Sequence, residues 1–147
     1  MTFLKDTNSG NLLKEIRANS PLIWNISNFV SMDIAANMLL SIGASPAMAH
    51  AIEEAESFAN LSKAINGALT INIGTFDKHW QKCAVKVANK AKLHDIPWVL
   101  DPVGAGASEF RSNNAKELLF LKPTVLRGNG SEIISISGIS NSGKGVD

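Results

Sequence analysis

Short apolar runs that alternate with stretches of helical periodicity constrain this chain more than any other feature. Leu22-Ile23-Trp24, Ala68-Leu69-Thr70-Ile71-Asn72-Ile73, Ile96-Pro97-Trp98-Val99-Leu100 and Val125-Leu126 are brief, and most are rich in β-branched or aromatic residues, as buried strands are. Pro46-Ala47-Met48-Ala49 is a further short strand candidate. Helical segments separate them. Ser9 to Ala18 places Leu12, Leu13 and Ile16 on one face. A helix from about Ser31 carries Ile34, Ala35, Met38, Leu39 and Ile42, with Gly43 at its C-terminal cap. Glu53 to Ala64 is helical. The clearest helix aligns Trp80, Cys83, Ala84, Val87, Ala88 and Ala91 in one apolar stripe. Asn114 with Glu117 predicts a capping box for a helix through Leu121, and Ser131 to Ser137 predicts the start of another.

Strand, helix, strand, helix with short apolar strands predicts an α/β fold: a mostly parallel sheet covered on both faces through right-handed crossovers. No repeat or interdomain linker interrupts residues 1–147, so one domain is expected.

Composition narrows the function classes. Hydrophobic residues make up 45% of 147, enough for a packed core. A net charge of +1 gives no case for nucleic-acid binding. The single Cys83 excludes a disulfide framework and a cysteine zinc site. His50, His79 and His94 are scattered and form no ligand cluster in sequence. No apolar run spans a bilayer, and Met1-Thr-Phe-Leu-Lys-Asp lacks a signal-peptide pattern, so a cytoplasmic location with no membrane partner is expected.

Polar residues recur just past the strands: Asn25, Asn72, Asp101 and Arg127. Ligands of open α/β sheets bind outside the carboxyl ends of the strands, which nominates these positions. Several other motifs weaken on inspection. Gly138 to Lys144 fits G-x-x-x-x-G-K, but Gly145 stands where a magnesium-reaching Ser or Thr belongs, and no strong strand precedes it. Gly104-Ala105-Gly106-Ala107-Ser108 lacks the third glycine of a dinucleotide fingerprint. It reads equally as a tight turn or as backbone that approaches a ligand closely. Cys83, inside an apolar stripe, reads as core packing. Lys78, Lys82, Lys86 and Lys90 read as a solvated helix face.

Two segments carry chemistry together: Asp101-Pro102-Val103-Gly104-Ala105-Gly106-Ala107 and Leu126-Arg127-Gly128-Asn129-Gly130-Ser131-Glu132. Asp101 and Glu132 are hard oxygen donors suited to magnesium. Arg127 offers a cationic fork for phosphate oxygens, and Asn129 can hydrogen-bond phosphate or metal-bound water. Such a set suits phosphoryl transfer, which needs positioning and charge neutralisation. Glu132 also reads as a first-turn helix carboxylate favoured by the dipole.

Asn129-x-x-Glu132 resembles the N-x-x-E motif of the ribokinase-like superfamily. Within it the chain resembles the hydroxyethylthiazole kinase family. The matching residues are Trp24 to Val30, Ala36 to Leu40, Gly43 to His50, Asn72 to Thr75, Val99 to Ala107 and Lys122 to Glu132, in family order. The resemblance implies a three-layer αβα ribokinase-like fold and phosphorylation of 4-methyl-5-(2-hydroxyethyl)thiazole, with ATP as co-substrate and Mg2+ as cofactor. It also implies a homotrimer. Met48 would line the thiazole pocket with Asn25 nearby. Arg127 and Asn129 would bind ATP phosphates. Asp101 and Glu132 would be the magnesium-associated carboxylates. Trp24 replaces a histidine often found there, which implies altered packing beside the pocket. The closing Lys144-Gly145-Val146-Asp147 resembles an internal family segment. The expectation is therefore an incomplete, N-terminal portion of such a kinase that carries no catalytic residue and is nearly inactive alone. Two alternatives are a non-catalytic fragment that binds thiazole or full-length subunits, and a ribokinase-like kinase for another small alcohol.

Overall fold

The computed structural model describes residues 9–138. The helices are α1 (Ser9–Asn19), α2 (Met32–Ile42), α3 (Ala55–Ala64), α4 (Lys78–Leu93), α5 (Glu109–Phe120) and α6 (Gly130–Ser137). The strands are β1 (Leu22–Ile26), β2 (Ser45–Ala47), β3 (Ala68–Asn72), β4 (Trp98–Asp101) and β5 (Val125–Leu126). They form one five-stranded sheet in the order β2-β1-β3-β4-β5, with every pair parallel. The α/β, three-layer architecture expected from the alternation is the one observed.

The register explains why the two faces of the sheet differ. Trp24, Leu69 and Trp98 lie side by side, as do Ile26, Ile71 and Leu100. All six are buried, and α3, α4 and α5 cover them. The whole α4 stripe, Trp80, Cys83, Ala84, Val87, Ala88 and Ala91, is buried against this layer. Asp77 caps α4 by accepting the Trp80 N–H at 2.8 Å. Because strand side chains alternate, the intervening row runs Asn25, Thr70, Val99 and Val125 on the opposite face. That row is more polar, and α2 lies over it. No residue of α2 is buried, and Ile34 and Met38 of its apolar stripe remain 65% and 60% exposed.

Chain direction follows from handedness. The chain steps from β1 to β2 one way, then crosses β1 to β3 and continues the other way. Right-handed crossovers in opposite directions put α2 on one face and α3, α4 and α5 on the other. The reversal falls at β1 and β3, so the switch-point crevice opens beside their carboxyl ends.

Two sequence expectations change. The helix after β4 begins at Glu109, capped by Ser108, whose hydroxyl accepts the Arg111 N–H. Asn114 is a buried mid-helix residue that donates to the Phe110 carbonyl at 2.7 Å, so it is not a cap. β2 ends at Ala47, which leaves Met48 in the loop beyond. Trp24 is 1% exposed on the apolar face, stacked on Phe58 with Nε1 donating to Ala49 O at 2.7 Å. It belongs to the core and not to the polar face that carries Asn25. Beyond Gly138, the G-x-x-x-x-G-K stretch lies outside the described residues. No helix among the described residues is long and apolar enough to cross a membrane.

Leu100 is fully buried at the centre of the apolar layer. Truncation removes that contact and leaves a cavity. Leu100→Ala is expected to lower unfolding free energy by about 2–5 kcal/mol, measured by urea denaturation. A loss below about 1 kcal/mol would show that this layer is not the core.

Candidate functional site

Side chains at the carboxyl ends of four adjacent strands form a hydrogen-bonded rail. Asn28, in the loop after β1, donates through Nδ2 to Asn72 Oδ1 at 2.7 Å. Its Oδ1 accepts the Val30 and Ser31 N–H groups, both at 2.9 Å, and so shapes the turn into α2. Asn72 donates through Nδ2 to Asp101 Oδ2 at 2.9 Å. Arg127 Nη1 donates to the same oxygen at 2.8 Å. The polar strand-end residues thus meet because parallel strands end together at one edge.

Asn25 lies one layer inward. Its Oδ1 accepts the Thr70 hydroxyl at 2.6 Å and its Nδ2 donates to Ile23 O at 2.7 Å. A cleft of about 360 Å3 opens over this floor. Its walls include Asn25, Ser27, Thr70, Asn72, Asp101 and Arg127, with Ala35, Met38 and Leu39 of α2 opposite. That volume falls within the roughly 300–1,000 Å3 of small-molecule sites. One wall is amide, hydroxyl and charge, and the other is aliphatic.

The electrostatics turn on exposure. The Arg127 side chain is 75% exposed and that of Asp101 only 14%. Water therefore screens the Arg127 end of the pair, while the Asp101 end is largely buried. Among the described residues Asp101 Oδ1 accepts no hydrogen bond, which leaves one face of the carboxylate open.

Glu132 is held differently. Asn129 caps α6 by accepting the Glu132 N–H at 3.0 Å, and Glu132 Oε2 accepts the Asn129 N–H at 2.9 Å. This reciprocal capping box realises the first-turn reading of Glu132. Its other oxygen, Oε1, accepts the Gly104 N–H at 3.0 Å, so the buried carboxylate ties the loop after β4 to α6. The Gly104–Ser108 stretch is a tight turn, with φ of +75° at Gly104 and +96° at Gly106. Its amides are engaged internally, by Glu132 and by Ser112 Oγ.

Of the residues singled out from sequence, Asp101, Arg127 and Asn25 line the one cleft. Asn129 and Glu132 form the adjacent helix start. Met48 is not among the cleft residues and follows β2, at the other end of the strand order from Arg127. Thr70 and Arg111 were missed. Thr70 is out of phase with Leu69 and Ile71, which marks it as facing the polar side. Arg111 was hidden by the misplaced helix start.

No group of three or more His, Cys, Asp or Glu side chains able to hold a metal occurs among the described residues. Asp101 and Glu132 supply two carboxylates with lone pairs to spare, a donor set that fits Mg2+, which keeps waters and takes one or two carboxylates plus phosphate oxygens.

The other reactive side chains have packing roles. His50 stacks on Trp80 at 4.7 Å. Lys90 pairs with Glu56, and Lys86 donates to Ile52 O. Burial pushes the Cys83 thiol up to about 11, the reverse of what a nucleophile needs.

Fold and cleft together define an α/β protein with a polar cleft at the carboxyl edge of an open parallel sheet. The chain belongs to the hydroxyethylthiazole kinase family, whose model it matches over residues 13–147. It is 52% identical over 141 residues to a hydroxyethylthiazole kinase of Rhizobium rhizogenes, covering 96% of this chain and 51% of that protein. It is 48% identical over 136 residues to one of Roseobacter denitrificans, covering 92% and 51%. A solved structure of a hydroxyethylthiazole kinase protein from Pyrococcus horikoshii OT3 superposes with a TM-score of 0.81 at 46% identity, covering 86% of this chain and 48% of that one. The chain spans about half the length of the curated relatives it matches.

The raised Cys83 value yields a signed expectation. The thiol's ordinary value is 9.0, so only the unfolded chain ionises it readily as pH rises above that point. Its contribution to stability should be constant below pH 9.0 and lost as pH climbs toward about 11. Thiol titration should find Cys83 unreactive in the folded chain at pH 8 and reactive in urea. Rapid labelling of the folded protein would contradict its burial.

Proposed function

We propose that this chain carries the substrate- and phosphate-handling part of a hydroxyethylthiazole kinase, which phosphorylates the hydroxyethyl group of 4-methyl-5-(2-hydroxyethyl)thiazole with ATP. The observation that carries the reading is the rail Asn28–Asn72–Asp101–Arg127, of which Asn72, Asp101 and Arg127 line the cleft. The family membership names the reaction, and the rail offers what phosphoryl transfer needs: an exposed cation beside a carboxylate with a free face.

The residues divide the work. Asn25 and Thr70 form a neutral polar floor for the alcohol, opposite the aliphatic wall of α2; Met48, which lies outside this cleft, would reach the thiazole only from the loop after β2. Arg127, mostly exposed, offers its guanidinium to phosphate oxygens, while Asp101 keeps its hydrogen bond from Asn72. Asn129 supports the phosphate end. Asp101 and Glu132 would hold Mg2+. When bound, the ion neutralises charge on the transferring phosphate. Among the described residues no cleft side chain is poised as a general base. Asn25, Thr70 and Asn72 are neutral, Asp101 faces Arg127, and both Glu132 oxygens accept backbone N–H groups. The roles proposed for these residues are to bind and orient.

Calorimetry on the purified chain tests this. Thiazole alcohol and Mg–ATP should both bind. Arg127→Ala should weaken Mg–ATP about tenfold, or about 1.4 kcal/mol, while leaving thiazole affinity within about twofold. Failure to bind either ligand, or an Arg127→Ala variant with native ATP affinity, refutes the reading. The proposal extends to the homotrimer: Phe29, Val30, Ile34 and Met38 are exposed apolar residues of α2 and the loop before it that a second copy would cover. Sedimentation should report a trimer, and a stable monomer at micromolar concentration would overturn that part.

A further inference from the structure

Arg111 stands in the first turn of α5, where the helix dipole opposes a cation. Its guanidinium forms no ion pair among the described residues. It grips backbone instead. Nη1 donates to Ile73 O at 2.8 Å and to Val103 O at 3.1 Å, and Nη2 donates to Gly74 O at 2.7 Å. These carbonyls belong to the two loops that leave the neighbouring strands β3 and β4.

Each gripped loop supports one carboxylate. The Gly74 N–H is bound by Asn72 Oδ1, and Asn72 Nδ2 donates to Asp101. Val103 precedes Gly104, whose N–H donates to Glu132 Oε1. The fit against the second loop is close. A Cβ added at Gly104 would lie 3.1 Å from Arg111 Cδ. A planar fork reaches three carbonyls on two loops at once, which a lysine ammonium does less well. An unfavourable place in the helix, offset by contacts around the site, is where local rules yield to function.

We propose that Arg111 is a positioning residue: one guanidinium bridges the β3 and β4 loops and so sets the placement of Asp101 relative to Glu132. The ligand arm of its test rests on the reading of these carboxylates as the magnesium-associated pair, whereas the bridge itself does not.

The experiment uses the 147-residue chain, native and with Arg111→Met or Arg111→Lys. Amide exchange by NMR reads the bridge directly. Arg111→Met should speed exchange of the Gly74 and Gly104 N–H groups about tenfold while Ile71 and Leu100 stay within about twofold, with Arg111→Lys in between. By calorimetry, Mg2+ affinity in the presence of ADP should fall about tenfold in Arg111→Met, and thiazole alcohol affinity should stay within about twofold. If Arg111→Met does not fold, the two glycine amides of Arg111→Lys decide. Uniform acceleration of all amides, unchanged glycine amides, or native Mg2+ affinity despite loosened loops would each overturn the proposal. If the native chain binds neither probe, the functional reading fails, and the exchange data still decide the bridge.

Discussion

The apolar layer of Trp24, Ile26, Leu69, Ile71, Trp98 and Leu100 against α4 is the contact on which the remainder of the molecule depends. Its side chains belong to three adjacent parallel strands, so burying them brings the strands into register and makes their carboxyl ends coincide. Side chains alternate along a strand. The residues between these six must then face away, and they compose the more polar floor of Asn25, Thr70 and Val99. One hydrophobic commitment therefore yields both a core and a cleft.

At the carboxyl edge the same alignment becomes chemistry. Asn28, Asn72, Asp101 and Arg127 are far apart in sequence, yet each follows or ends a strand, and parallel strands deliver them to one line. Neutral amides hold the inner end of that line. The Arg127–Asp101 ion pair forms the outer end, with its guanidinium mostly in water. Glu132 sits in a capping box and also accepts the Gly104 amide, so one carboxylate ties the start of α6 to the loop after β4.

Much of this was legible in sequence. The α4 stripe is buried in full, because six apolar residues at helical spacing leave only one face to hide. The strand ends that deliver Asp101 and Arg127 were visible as polar residues after short apolar runs. The helix after β4 was not. Asn114 and Glu117 have capping-box spacing, but Ser108 caps first, and once a helix has begun, an Asn bonds back to the carbonyl four residues earlier. That error concealed Arg111. Trp24 is buried on the apolar face, and its indole N–H bonds Ala49 O, next to Met48, a contact that no local pattern displays.

Local chemistry by itself determined the element types, the parallel α/β class and the polar residues that follow the strands. Periodicity, caps and strand ends act within a few residues, and a single sequence displays them. Only the tertiary structure decided which of those residues meet. Strand register and crossover direction put Asn25, Asp101 and Arg127 in one cleft, left Met48 at the far end of the strand order, and set Arg111 across two loops. These are long-range contacts, chosen by burial of the shared apolar layer, and no local pattern encodes them.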